Sequence, residues 1–244
     1  KVRAIVKRSN GEIWVGTYSG LAIINSNEVS VFNNVDSTLP SSSVYDIFID
    51  SKSTVWICTW SGGIAKYTPY GSHFWGESYY LTSESKFGVV TSFATSAYGQ
   101  CVLIGTENNG LYLYNYVISE TMKRYSSPVH IKAMLRYDDK VLLGALEGIF
   151  LFDEFTGSIE EIKINAFKDI DPIVSSMVIK DRILYVATRV YGVLEYNMDT
   201  GEENIYNTSN NRLSSNSVWQ IYVDNQYNVY ICTNDGFFIR KSTN

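Results

Sequence analysis

The residues best suited to binding a ligand share one chemistry, which is an aromatic ring beside polar groups that can form hydrogen bonds. Each follows a short apolar strand at the same place in a repeating pattern. They are Tyr18, Trp60, Glu107, Asn108, Arg189, Tyr191, Asn234 and Asp235. Aromatic faces stack on the apolar faces of sugar rings, and polar groups pair with sugar hydroxyls. As a set they predict a saccharide-binding surface, although any one of them alone is typical of an exposed turn.

Residues for catalysis are sparse. The two histidines, His73 and His130, lie in different repeats and away from clusters of Asp or Cys. A metal site needs a convergent set of His, Cys or carboxylates at matched spacing, and the sequence shows none. The members of a Ser-His-Asp triad converge in space rather than in sequence, but no nucleophile motif supports a triad here. We therefore expect no catalytic residue, no metal and no cofactor.

The turns belong to a strand motif that recurs six times. Its copies lie at 13–17, 55–59, 102–106, 141–145, 184–188 and 229–233, and a glycine follows each one. Strands that recur with a period of about 40 residues, without helices, are the signature of a β-propeller with one four-stranded blade per repeat. The sequence predicts an all-β propeller with about six visible blades, and a seven-bladed ring is the alternative.

The repeat runs unbroken along the 244 residues, which predicts a single propeller domain or a fragment of one. The expected blades span 1–33, 44–75, 90–125, 131–162, 174–207 and 217–244. In the second blade the outer fourth strand is placed at 72–75, and the last blade has no fourth strand before the chain stops. Either an upstream segment supplies that strand, or a further blade of a larger propeller is missing. We favour an incomplete boundary over a naturally three-stranded blade.

Charge and hydropathy exclude some functions. The net charge is −5 and only 18% of the residues are charged, without a basic stretch that could track a phosphate backbone. Nucleic acid is therefore excluded as a partner. No apolar run approaches the roughly 18 to 20 residues that cross a bilayer. The chain starts at Lys1 within a predicted strand, without a signal peptide, so we interpret it as a piece of a longer protein.

The small and large residues of the motif strands predict what is buried. Cys58 and Cys232 occupy a slot that holds Gly or Ala in the other copies, so both are expected inside blades as free thiols. Trp14 and Trp56 hold equivalent positions and are expected in the core. Trp219 is also expected to pack rather than bind, as is Trp75.

The repeat resembles the two-component regulator propeller repeat. The resemblance rests on a first strand that ends in Asp, then hydrophobic-Trp-Val-Gly-Thr, then a strand that begins with Gly. It is strongest at 10–21 and 50–66, and the serine-rich linkers at 39–44 and 213–218 are also similar to that family. It extends over the whole chain, but in repeats three to five the Trp becomes Leu or Tyr.

This resemblance implies a function. In that family, paired propellers form the periplasmic sensor of hybrid two-component systems in polysaccharide-degrading bacteria. They precede a β-sandwich, a membrane helix and a histidine kinase. The resemblance therefore implies a non-catalytic, periplasmic sensor domain that detects oligosaccharides. It also implies neighbouring propeller or sensor domains as partners, and a homodimer of the full-length protein. The family has no fixed catalytic motif, so no residue role is transferred.

Two other functions stay open at the level of sequence. The propeller could be an interaction scaffold that offers its faces to protein partners, and a kinase and receiver downstream would favour sensing instead. It could also be a polysaccharide lyase or hydrolase, which turnover of a polysaccharide by the purified chain would support.

Overall fold

The described residues form six antiparallel β-sheets, and each sheet is one blade of a β-propeller. We describe residues 2–37, 39–60, 63–67, 87–118, 120–210 and 212–242 of a computed structural model. Strands follow one another in chain order within every sheet, so each blade is a meander. The all-β propeller with six blades that the sequence predicts is confirmed.

The first compact unit, Lys1–Ile131, holds three blades. Blade 1 consists of β1 (Val2–Lys7), β2 (Ile13–Thr17), β3 (Gly20–Ile24) and β4 (Val29–Phe32). Blade 2 consists of β5 (Val44–Ile49), β6 (Val55–Thr59) and β7 (Gly63–Tyr67). Blade 3 consists of β8 (Val90–Thr95), β9 (Cys101–Thr106), β10 (Leu111–Asn115) and β11 (Glu120–Tyr125).

The second compact unit, Lys132–Asn244, holds the other three blades except for Ile131, the first residue of blade 4. Blade 4 consists of β12 (Ile131–Tyr137), β13 (Lys140–Ala145), β14 (Ile149–Phe152) and β15 (Ile159–Glu161), and a short 3-10 helix at Asn165–Phe167 follows it. Blade 5 consists of β16 (Val174–Lys180), β17 (Ile183–Thr188), β18 (Val193–Asn197) and β19 (Glu203–Tyr206). Blade 6 consists of β20 (Val218–Val223), β21 (Val229–Thr233) and β22 (Gly236–Arg240).

The strand limits agree closely with those expected from the sequence, because alternating apolar residues and turn glycines mark where strands begin and end. Within the described residues the last blade has three strands, as expected. The fourth strand placed at 72–75 lies outside the described residues. The single domain stays a prediction.

The second strand of each blade forms much of the core. Every residue of β6 is buried, since both of its faces are covered by protein. Trp14 and Trp56 keep 1% and 0% of their surface exposed, which confirms that these rings are core residues. The hydrophobic clusters lie between consecutive blades, with blades 1 and 2 sharing one in the first unit, and blades 5 and 6 sharing one in the second.

The small residue of the motif lets the next blade approach. A Cβ atom on Gly16 would lie 2.6 Å from Cγ1 of Val44 at the start of β5. A Cβ atom on Gly144 would lie 2.6 Å from Cγ1 of Val174 at the start of β16. Both valines have no exposed surface. The slot is small because the first strand of the following blade packs directly against it.

The two cysteines in this slot differ. Cys58 is buried, as expected, but Cys232 is exposed, so its expected burial is wrong. The slot is covered by the first strand of the following blade, and no further blade follows Cys232 in the part of the chain described here.

We predict that Gly144→Val destabilises the protein by about 1–3 kcal/mol, because the new side chain must displace Val174. The control is Gly99→Ala, since no atom lies within 4 Å of a Cβ atom added there. That change should alter the free energy of unfolding by less than about 0.5 kcal/mol. Urea denaturation measures both, and equal stabilities of the two variants would contradict the close packing.

Candidate ligand-binding site

The turns that carry the predicted site residues are held by a threonine at the end of the second strand. In blade 1 the Thr17 hydroxyl donates a hydrogen bond to the Gly20 carbonyl (2.9 Å) and accepts one from the Ser19 amide (3.0 Å). The corresponding threonine bonds the turn glycine in blades 2, 3, 5 and 6. Gly20 has φ of 142°, a conformation that favours glycine. Tyr18 is therefore presented on a short, hydrogen-bonded turn.

A β-bulge at the start of the first strand supplies the other half of the site. In β1, Val2 pairs with Thr17 and Ala4 with Gly16, so Arg3 is an extra residue with no partner in the ladder. The same shift occurs in β5, β8, β16 and β20. The extra residues in these strands are Tyr45, Thr91, Ser175 and Trp219. Bulges of this kind re-aim a side chain and are common beside functional sites.

The bulge residues serve two purposes. In blade 5 the Ser175 hydroxyl lies 3.1 Å from the Ala187 carbonyl and 2.8 Å from the Val218 carbonyl, so it links β16 to the first strand of blade 6. Arg3, Tyr45 and Trp219 are large instead, and they meet residues of the turns. The large bulge residues therefore mark where a surface cluster forms.

The first unit contains a cluster of three aromatic rings around one guanidinium group, which we call the Arg3 cluster. Cζ of Arg3 lies 4.0 Å from the ring centroid of Tyr18, 4.3 Å from that of Tyr45 and 5.9 Å from that of Trp60. The rings of Tyr45 and Trp60 are stacked, with centroids 5.9 Å apart and planes 16° apart. The cluster thus joins two bulge residues to two turn residues.

The Arg3 cluster is open to a ligand. Tyr18 and Trp60 keep 46% and 45% of their surface exposed, although Tyr18 contacts Arg3 and Trp60 stacks on Tyr45. Such exposure is unusual for large aromatic rings. Stacking and cation–π contacts hold the rings in place, each contributing about 0.5–1.5 kcal/mol. The site therefore offers ordered aromatic faces beside hydrogen-bond donors, a combination that suits an amphipathic ring such as a sugar.

A second group of the same type lies in the second unit. Cζ of Arg189 is 3.1 Å from the ring centroid of Trp219, and the indole N–H of Trp219 donates a hydrogen bond to Oδ1 of Asn234 (2.5 Å). Trp219 is 39% exposed. The ring packs against Arg189, as expected, but it lies at the bulge in β20 and stays partly exposed at the surface.

The other predicted site residues are placed on their turns. Glu107 is part-buried and its amide bonds the Val89 carbonyl, whereas Asn108 is exposed. Asp235 is exposed, and its amide bonds the Thr233 hydroxyl. The ring of Tyr191 packs edge-on against Phe167, with centroids 6.1 Å apart.

The structure thus brings together Tyr18 with Trp60, and Arg189 with Asn234. Sequence reasoning missed Arg3 and Tyr45, and it expected Trp219 to pack rather than bind. A signal for all three was present in the sequence. Each directly follows the valine that opens a first strand, so aligning the repeats on that position, which holds Ile131 in blade 4, would have set these residues apart.

The described residues lack two features that mark other kinds of functional site. They contain no group of three or more His, Cys, Asp or Glu that could hold a metal ion. None of the described helical segments has the length and apolar character that crossing a bilayer requires.

Two segments match a family model described as two component regulator propeller, residues 38–61 and 212–235. These two segments are similar to the two-component regulator propeller repeat. This confirms the resemblance, and the serine-rich linkers lie within the matched segments, whereas 10–21 lies outside them. Each matched segment holds a bulge residue and a turn residue of the site, namely Tyr45 with Trp60 and Trp219 with Asn234.

Solved structures share the fold. The extracellular domains of two putative hybrid two component systems from B. thetaiotaomicron are each 16% identical, with TM-scores of 0.63 and 0.65. Each alignment covers 99% of this chain and 40% of the other, so the chain spans 40% of those extracellular domains. Virginiamycin B lyase from Staphylococcus aureus is 15% identical with a TM-score of 0.73, covering 100% of this chain and 85% of that one. No curated protein sequence matches the chain.

One carboxyl group beside the Arg3 cluster has a shifted pKa. Asp46 follows Tyr45 and faces Cys58 across the β5–β6 ladder. Its carboxyl is enclosed by protein, although the residue as a whole is only part-buried. Loss of water raises the pKa of Asp46 to about 6, and the hydrogen bond that it accepts from the Ile47 amide opposes this. Burial, with the Asp46 charge as a second cause, also raises the pKa of the Cys58 thiol.

We predict that Asp46 makes the protein less stable as the pH rises from 4 to 6. In the unfolded chain an Asp loses its proton near pH 4, whereas folded Asp46 holds it until about pH 6. The folded state therefore binds more protons in this window, and the free energy of unfolding falls by about 2–3 kcal/mol.

Urea denaturation at several pH values checks this. Asp46→Asn should remove the fall, and the exposed Asp169→Asn should keep it. A constant stability difference between wild type and Asp46→Asn across pH 4 to 6 would show that the carboxyl is not desolvated.

Proposed function

We propose that this chain is a non-catalytic, ligand-binding propeller from the extracytoplasmic, periplasmic sensor of a two-component signalling protein, and that it detects an oligosaccharide. The Arg3 cluster is the observation that carries this proposal. Exposed Tyr18 and Trp60 are held by contacts with Arg3 and Tyr45, so little conformational entropy is lost when a ligand binds. Rigid aromatic faces beside polar donors are the chemistry of saccharide recognition.

The signalling role is supported by the proteins to which these repeats are similar. The matched family is described as a regulator propeller, and the B. thetaiotaomicron structures with this fold are extracellular domains of two component systems. Because the chain spans 40% of those domains, we propose that neighbouring propeller or sensor domains of a longer protein complete the sensor. A homodimer of the full-length protein would couple ligand binding to a change between two membrane helices.

The non-catalytic assignment follows from what the cluster contains. A guanidinium group stays protonated at physiological pH, and stacked rings hold a ligand without transferring protons. The fold is shared with an enzyme, virginiamycin B lyase. Fold alone does not decide between the two roles, because function depends on the site.

We predict that Trp60→Ala weakens binding of a recognised oligosaccharide at least tenfold, because it removes an exposed stacking face. The melting temperature should change little. Thermal denaturation with a panel of plant and host oligosaccharides identifies the ligand through a concentration-dependent rise in melting temperature, and calorimetry then measures the affinity.

The matched control is Trp56→Ala, which removes a ring with no exposed surface and should cost about 3–5 kcal/mol of stability. If no oligosaccharide shifts the melting temperature, the scaffold function gains over the sensor. Cleavage of an oligosaccharide by the purified chain would refute the non-catalytic assignment.

A further inference from the structure

The guanidinium group of Arg3 is the charged group of the Arg3 cluster. Its side chain makes no hydrogen bond or ion pair with any residue that the structure describes. Other arginines of the chain pair with carboxylates within 4 Å, namely Arg8, Arg136, Arg182 and Arg240. Arg3 thus keeps five N–H donors in one plane available to a ligand.

The surrounding rings hold this group in position. The Tyr18 and Tyr45 centroids lie 4.0 and 4.3 Å from Cζ of Arg3, so both rings contact the guanidinium. The ring of Trp60 in turn stacks on the ring of Tyr45 and restricts its motion. A long arginine side chain normally loses much rotational freedom when it binds an acceptor. Because the two rings already restrict Arg3, the entropic cost of binding an acceptor is smaller here.

An anionic acceptor fits this arrangement better than a neutral one. A guanidinium group forms two parallel hydrogen bonds with a carboxylate or with another oxyanion. Such charge-assisted bonds contribute roughly twice as much as bonds to a neutral hydroxyl. The chain has a net charge of −5, so attraction to an anion acts locally, through Arg3, and not through the overall field.

We propose that the ligand of the Arg3 cluster is an anionic saccharide, whose carboxylate or sulfate group pairs with Arg3 while an apolar sugar face stacks on Trp60 or Tyr18. This rests on the proposed function, because it names the class of oligosaccharide that the same site recognises. Uronic acids and sulfated sugars share this chemistry, and the test separates them.

The test measures affinities by calorimetry for matched pairs of saccharides. One pair is trigalacturonic acid and the neutral trisaccharide made by reducing its carboxyl groups. The others are glucuronate-containing and sulfated oligosaccharides, each with its carboxyl-reduced or desulfated counterpart. We expect the wild-type chain to prefer the anionic member of at least one pair by roughly tenfold to a hundredfold, as for a charged hydrogen bond.

Two substitutions of Arg3 assign that preference. Arg3→Gln should abolish it, because the anionic member loses about tenfold to a hundredfold more affinity than the neutral member, so that the two members of the pair bind alike. Arg3→Lys should retain only part of it, because an ammonium group keeps the charge but loses the planar pair of donors. Lys7→Gln is the matched control, since it removes one positive charge from an exposed position on the same strand. This control should bind like the wild type.

The outcomes distinguish this inference from the proposed function. If neutral members bind as tightly as anionic ones and Trp60→Ala abolishes both, the site binds saccharides and the role of Arg3 is refuted. An anionic preference that survives Arg3→Gln also refutes it. If no saccharide of either kind binds, the proposed function itself fails, and the inference fails with it.

Discussion

A buried valine at the start of a first strand, packed into the small-residue slot of the preceding blade, is the contact that positions the adjacent bulge in blades 2 and 5. Val44 lies against Gly16 in this way and Val174 lies against Gly144, with no room for a Cβ atom on either glycine. This contact holds the first strand at one point. The ladder is disturbed directly after it, because the next residue is the extra residue of a bulge. A side chain at that position is released from the regular ladder.

The same type of β-bulge therefore links two blades in one place and brings a side chain to a surface turn in another. With a small hydroxyl residue, as at Ser175, the bulge side chain bonds carbonyls of its own blade and of the next. With a large residue, as at Arg3 or Tyr45, it reaches the turn after the second strand. The threonine–glycine hydrogen bond fixes that turn at the same place in five blades. Changing bulge and turn side chains alone can therefore change a binding surface without changing the fold.

The fold could be predicted in detail from the sequence, since strand alternation, the small slot and the turn glycines recur in every repeat. Two of the four residues of the Arg3 cluster could also be predicted, because Tyr18 and Trp60 lie on turns whose position the repeated motif gives. Arg3 and Tyr45 were missed because a bulge breaks the two-residue alternation on which strand predictions rest. The prediction that Cys232 is buried was wrong for a different reason. The following blade covers the small-residue slot, so the local sequence does not determine whether the slot is buried.

A crystal structure of the chain with bound trigalacturonate, or with whichever anionic saccharide binds best, tests the central claim most directly. We expect a sugar face on Trp60 or Tyr18, and an anionic oxygen at about 2.7–2.9 Å from a guanidinium nitrogen of Arg3. A saccharide bound away from the bulge and turn residues, or one whose anionic group faces away from Arg3, would contradict the account.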